Sequence, residues 1–206
     1  SYARGIVPQR LRAPHRRPDQ IERSDLVERM IGCRAPIVVV RAGAGYGKST
    51  LLTQVVAADP RPAGWLTVDP ADDDPVVLLR HLVGALGDAG LDVDEVVAAL
   101  AGPTPKLSRH ALPLLAEVAA GPVSPFLLVL DDLHVVSRDE SVDFADELLR
   151  LLPADCTVVL AGRSMPDMRL ARWEVDGLVA RFDESDLAYT DAEARQVLVA
   201  ALPELS

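Results

Sequence analysis

The sequence predicts a three-layer α/β fold, a parallel sheet of five strands with helices on both faces. Three observations predict it. Apolar, β-branched runs alternate with helical patterns along the whole chain, the order that builds a parallel sheet through crossover helices. The runs, "PIVVVRA" and "FLLVLDD" among them, are continuously apolar, as strands covered on both faces require. A Gly-rich turn, Gly43 to Gly47, joins the first of these runs to a helical pattern that opens with Lys48, Ser49 and Thr50.

Taken in order, residues 1–20 form an Arg/Pro-rich lead-in, made extended and solvated by Pro8, Pro14 and Pro18. A single domain is expected over residues 21–206. "SDLVERMIGC" places Leu26, Val27, Met30 and Ile31 at helical spacing, with Ser24 a possible N-cap. "PIVVVRA" is the first strand, Ser49 to Ala58 a helix stopped by "DPRP", and "GWLTVD" the second strand. In "DDDPVVLLRHLVGALGDAG" acids and Pro75 stand where a helix begins and Gly87 and Gly90 where it ends. Residues 92–101 and 107–120 are expected as two more helices. "FLLVLDD", "CTVVLAGR" and "GLVARFD" complete the strands. "DESVDFADELLRLL" and "TDAEARQVLVAAL" are amphipathic helices, the second capped by Thr190.

Composition excludes several classes. Half of the 206 residues are apolar and a quarter charged, as in ordinary globular domains. No run of about 18 apolar residues and no signal-peptide pattern occurs, so no membrane span is expected. Cys33 and Cys156 stand singly in apolar contexts and are expected as buried thiols, pointing to a reducing cytoplasm. The net charge is −10, yet eight arginines against four acids leave residues 1–36 at +4 and the remainder at −14. An acidic body of this kind argues against broad nucleic-acid contact. The chain opens on Ser1 instead of Met and stops soon after a helical pattern, which suggests a piece of a longer protein.

The Gly-rich turn carries the chemistry. Backbone N–H groups of Gly43, Ala44, Gly45, Tyr46 and Gly47, together with the positive end of the following helix, suit a polyphosphate. Lys48 would reach the outer phosphates, the Ser49 hydroxyl would ligate Mg²⁺, and Thr50 follows in the first turn. The strict motif asks for Gly where Ala42 stands, but the strand before and the helix after supply the context. Lys48 and Lys106 are the only lysines in an arginine-using chain, so an amine at position 48 is a chemical choice. A phosphate loop also needs carboxylates at a neighbouring strand end, and "FLLVLDD" offers Asp131 for the metal shell and Asp132 for polarising a water. Arg163 ends the fourth strand; placed between the loop strand and the Asp131 strand it would face a γ-phosphate, and placed elsewhere it is a surface arginine. His134 is open between a loop histidine and a catalytic one. Trp65 and Trp173 are expected in the core, and Asp69 and Asp72 to Asp74 as a solvated turn and helix start. No guanine-reading Asn/Thr-Lys-x-Asp element is present, which leaves ATP or ADP as the nucleotide.

Together, "AGAGYGKSTLL", "GWLTVDPADDDPVVLLRHLVGAL", "FLLVLDDLHVV", "VVLAGRSMP" and "LAYTDAEARQVL" resemble the large ATP-binding, LuxR-family transcriptional regulators of the maltose-activator (MalT) type. These are signal-transduction ATPases with numerous domains, related to NACHT and NB-ARC domains, and the resemblance runs from Ile21 to Leu202. It implies a P-loop NTPase sandwich with sheet order 5-1-4-3-2, placing the Arg163 strand between the other two. It implies a slow ATPase switch, active with ATP and resting with ADP. Lys48 and Ser49 would then serve phosphate and Mg²⁺, Asp131 and Asp132 metal and water, and Arg163 would sense the γ-phosphate. Ile21 and Arg23 align with the segment that lies against the adenine. The helical lid, sensor domain and DNA-binding module of such proteins would lie beyond this chain, which is expected to contact no DNA itself, while the parent could self-associate with ATP. A binding module without useful catalysis and a small-molecule kinase are the competing expectations.

Overall fold

The computed structural model describes residues 7–15, 20–102 and 104–201. Five strands, β1 (Ile37–Arg41), β2 (Ala63–Thr67), β3 (Leu127–Asp131), β4 (Thr157–Gly162) and β5 (Val179–Phe182), form one all-parallel sheet in the order β2-β3-β4-β1-β5. This is the expected order read from the other edge. β1 therefore lies between β4 and β5, with Val39 opposite both Leu160 and Arg181.

Alternation along the strands divides the core into two layers, because successive side chains leave opposite faces of a sheet. Ile37, Val39, Leu128, Leu130, Val158 and Leu160 point to one face, packed by α3 (Pro75–Asp88), α4 (Asp94–Leu100), α5 (Leu112–Ala119) and α6 (Asp139–Leu151). Val38, Val40, Leu127, Val129, Val159 and Ala161 point to the other, covered by α1 (Ser24–Gly32) and α2 (Lys48–Ala58). Each fully buried Leu or Val contributes roughly 1.5–3 kcal/mol of transfer free energy. Trp65 and Trp173 are buried as expected, and Cys33 and Cys156 are free thiols, the second buried. At Gly64 the fit is tighter still. A Cβ there would lie 2.8 Å from the Ala85 carbonyl oxygen, so glycine lets α3 press directly on β2.

Caps follow the sequence in part. Asp74 Oδ1 accepts from the Val76 and Val77 N–H groups, with Pro75 at the first helical position. Thr190 and Glu193 form a reciprocal capping box at the start of α9 (Asp191–Ala201). Ser24 is not an N-cap: it is the first residue of α1, and no side chain caps that helix. Two short helices escape the sequence reading, α7 (Leu170–Val175) and α8 (Glu184–Leu187), each under two turns and too short for a periodic signal.

The largest correction concerns the lead-in. Residues 1–6 and 16–19 lie outside the described residues, but Pro8–Leu11 form a 3₁₀ turn packed on β2 and α3, and Leu11 is buried. Arg10 holds this turn in place. Its Nε donates to the Thr67 carbonyl at 2.9 Å, and its terminal nitrogens pair with Asp69 at 2.8 Å and with Asp72. Asp72, expected in a solvated turn, is wholly buried, and His81 Nδ1 lies 2.6 Å from its second oxygen. Asp73 is likewise engaged, accepting from the Ser137 and Arg138 N–H groups. Among the described residues no helix is long and apolar enough to cross a membrane.

Candidate functional site

The site lies at the carboxyl ends of β1, β3 and β4, where the strand order reverses beside β1. The loop from Ala42 to Gly47 leaves β1 and delivers the N-terminus of α2. Gly45 and Gly47 have φ of +83° and +74°, left-handed values that glycine adopts without strain and that curl the loop around a concavity. The loop is anchored to β4 by the Ala42 N–H, which donates to the Gly162 carbonyl at 3.2 Å.

A cleft of about 830 Å³ opens against this loop. Ala44, Gly45, Gly47, Lys48, Ser49 and Thr50 line one side, with Asp132 and Arg163 approaching from β3 and β4. Among the sequence-predicted residues, Asp131 sits just behind this lining, buried at the end of β3, and the Ser49 side chain hydrogen-bonds to its carboxyl. Burial pushes Asp131 above the usual carboxylate range and the Asp132 charge adds to this, against the Ser49 and Asp132 N–H hydrogen bonds and the Lys48 charge. Asp132 has a left-handed φ of +60°, donates its N–H to Asp131 Oδ1 at 3.0 Å, and leaves its own carboxylate half-exposed at the cleft. Gly43 and Tyr46 belong to the loop's outer limb and do not line the cleft.

Lys48 is 8% exposed and turned onto its own loop: Nζ donates to Ala42 O at 2.7 Å and Gly43 O at 2.8 Å. Burial lowers its pKa below the ordinary lysine value, with Arg163 adding to the effect and Asp131, Asp132 and Glu184 opposing it. His134 lies beneath Asp132, its Nδ1 3.7 Å from Asp132 Oδ1.

Ile21 and Arg23 do not line the cleft. The Ile21 carbonyl accepts from Gln54 Nε2 at 2.8 Å. The Arg23 guanidinium is buried away from the cleft, donating to the Leu187 and Ala188 carbonyls at 2.7 and 3.0 Å and to Glu193 at 3.0 Å. With the Tyr189 ring beneath it, this arginine fastens α8 and α9 to the body, and its fork geometry explains the choice over lysine.

Three residues missed by sequence reasoning complete the cleft: Pro14, His15 and Gln20. Gln20 Nε2 reaches Thr50 Oγ1 at 3.5 Å, while its shielded Oε1 has no hydrogen-bond partner among the described residues. Only the proximity of Gln20 to "IERSDLVERM" could have flagged it.

Hard oxygen donors fit a magnesium ion here, since the Ser49 hydroxyl and the Asp131 carboxyl already touch. Among the described residues no group of three His, Cys, Asp or Glu side chains could hold a metal alone, so phosphate oxygens and water would complete the shell.

No protein-family model matches the chain. It is similar to the HTH-type transcriptional regulator MalT of Cronobacter sakazakii, 29% identical over 194 residues, 93% of this chain and 21% of that protein. The MalT of Serratia proteamaculans is 27% identical over the same shares. The chain thus spans about a fifth of the length of these relatives. Its fold is similar to a signal-transduction ATPase with numerous domains and a tetratricopeptide-repeat sensor from Pyrococcus horikoshii, with TM-score 0.62, 14% identity, and 97% of this chain and 28% of that one covered. A Walker-type ATPase of Pyrococcus abyssi follows at TM-score 0.54 and 12% identity, covering 95% and 61%. Sheet order and Gly-rich loop agree with these likenesses: the chain has the fold of the P-loop ATPases and is similar to the MalT regulators along nearly its whole sequence.

Proposed function

We propose that this domain binds ATP or ADP with Mg²⁺ and acts as a slowly hydrolysing switch within a multidomain transcriptional regulator, active with ATP and resting with ADP. The observation that carries the reading is convergence: Lys48 and Ser49 from α2, Asp132 from the end of β3 and Arg163 from the end of β4 meet at one cleft.

In this reading the loop N–H groups from Ala44 to Ser49 and the helix terminus hold the phosphates, Gly43 and Tyr46 shape the loop's outer limb, and Thr50 closes the first turn. Lys48 exchanges its carbonyl partners for phosphate oxygens. Ser49 and Asp131 hold the ion, which when bound screens phosphate charge during transfer to water. Asp132, accessible and next to the cleft, orients that water and draws on its proton. Arg163 bonds the γ-phosphate oxygens and so distinguishes ATP from ADP. Ile21 and Arg23 support the nucleotide indirectly, since both bond to Gln54 of α2 next to Gln20 at the cleft. The domain works in the cytoplasm without touching DNA. A helical lid, a sensor domain and a DNA-binding module of the parent are its partners, and ATP favours self-association of the parent.

Titration calorimetry with Mg·ATP and Mg·ADP tests this. Loss of Lys48 removes charge-assisted bonds of about 1.5–3 kcal/mol, so Lys48→Ala should weaken binding roughly tenfold or more. Asp132→Ala should retain binding and lose turnover. Unchanged affinity in Lys48→Ala would end the proposal.

A further inference from the structure

One side chain at the loop belongs to neither phosphate nor metal. Glu184, the first residue of α8, places Oε1 2.9 Å from the Gly43 N–H and accepts its hydrogen bond. That N–H and the Ala42 carbonyl belong to one peptide group, and the carbonyl accepts from Lys48 Nζ at 2.7 Å. Carboxylate, peptide and ammonium thus form a chain. Each bond polarises the next, so a charged acceptor on the N–H strengthens the hold of the carbonyl on Lys48.

The backbone fixes Glu184 in this place. Asp183 and Asp186 make a reciprocal capping box around α8. Asp183 pairs with Arg41 at 3.2 Å, Asp186 with Arg29 at 2.8 Å, and Arg23 takes the carbonyls of Leu187 and Ala188. A Cβ built on Gly43 would stand 3.4 Å from Glu184 Oε1 and equally close to the Tyr46 ring, so carboxylate and ring both lie beside the loop at this residue. A fixed negative charge beside a loop built for polyphosphate raises the work of bringing that anion in.

We propose that Glu184 is a positioning residue that sets nucleotide affinity: through the 42–43 peptide it holds Lys48 turned onto the loop, and its charge opposes the incoming phosphates. This rests on the nucleotide-binding reading above. Neutralising Glu184 frees Lys48 and removes the repulsion, most strongly for the ligand with more charge.

Calorimetric titration of the whole chain with Mg·ATP and Mg·ADP, in wild type, Glu184→Gln, Glu184→Ala and Lys48→Ala, tests it at roughly 0.05 M and 0.5 M salt. Glu184→Gln and Glu184→Ala should each bind ATP about two- to fivefold tighter at low salt, gain less with ADP, and lose most of the gain at high salt. A merely structural strut predicts the reverse: affinity unchanged or lowered in both variants, without salt dependence, and that result would overturn the proposal. A wild type that binds no nucleotide, or a Lys48→Ala variant that binds like wild type, would overturn the nucleotide reading itself. That failure is distinct from normal wild-type binding with an indifferent Glu184.

Discussion

Asp72 carries more of the fold than its place in an acidic run suggests, and Asp72→Asn should show it. The carboxylate is fully buried and has three donors around it: His81 Nδ1 at 2.6 Å, the Asp69 N–H at 2.8 Å, and the Arg10 guanidinium, itself only 13% exposed. The amide keeps the shape but drops the charge and turns one acceptor into a donor facing donors. Removing one partner of a buried ion pair costs about 3–5 kcal/mol. In a domain of this size each kcal/mol moves the melting temperature by roughly 2–4 °C, giving a fall of about 6–20 °C. Thermal unfolding followed by circular dichroism reads this directly. The acid limb offers a second check. Burial alone would raise the Asp72 pKa, but the His81 and Asp69 hydrogen bonds and the charges of Arg10 and His81 hold it below the ordinary 3.8. A carboxylate depressed in the folded state contributes stability above that ordinary value, and loses it as pH falls through the folded one. Wild type should therefore lose stability below about pH 4 more steeply than Asp72→Asn. A variant within about 0.5 kcal/mol of wild type, with the same acid limb, would refute the reasoning.

Two further expectations concern the core and the site. Gly64→Ala drives a Cβ to 2.8 Å from the backbone oxygen of Ala85, which cannot rotate away; urea unfolding should show a loss of about 1–3 kcal/mol, with nucleotide affinity unchanged because Gly64 lies at the end of β2 remote from the cleft. Asp131 has the opposite linkage to Asp72: burial raises its folded pKa above 3.8, so its ionised form at neutral pH weighs against the nucleotide-free fold. Asp131→Asn should accordingly melt no lower than wild type without nucleotide, and calorimetry should show that added Mg²⁺ no longer strengthens ATP binding.

What the sequence could disclose was set by the range over which its signals act. Strands β1 and β3 are legible because a continuous apolar run has one economical home, the middle of a covered sheet. The loop from Gly43 to Thr50 is legible because its chemistry is contiguous, and Asp131 with Asp132 because the strand before them marks their end. The Arg10 and Asp72 pair is not legible. Its members are 62 positions apart, and arginine and proline beside them carry a local signature of solvated chain. Arg23 shows the same limit from another side: resemblance aligns it with a nucleotide-facing segment, whereas its contacts with Leu187, Ala188 and Glu193 depend on where α8 and α9 pack. Glu184 sat unread within an acidic run because its partner is a backbone N–H, which has no residue type to recognise.

The turn at Pro8–Leu11 also has a meaning for how copies of this molecule meet. β2 is an outer strand, and an open outer strand presents unpaired backbone groups on which another chain can continue the sheet. Here Leu11 packs against that side of the domain and Arg10 occupies the Thr67 carbonyl. β5, at the far side, is only four residues long and runs directly into α8. Residues that resemble a disposable leader therefore act as a selvedge, finishing the cloth so that it does not ravel into its neighbour, and a version trimmed at residue 20 would bring a raw margin into solution.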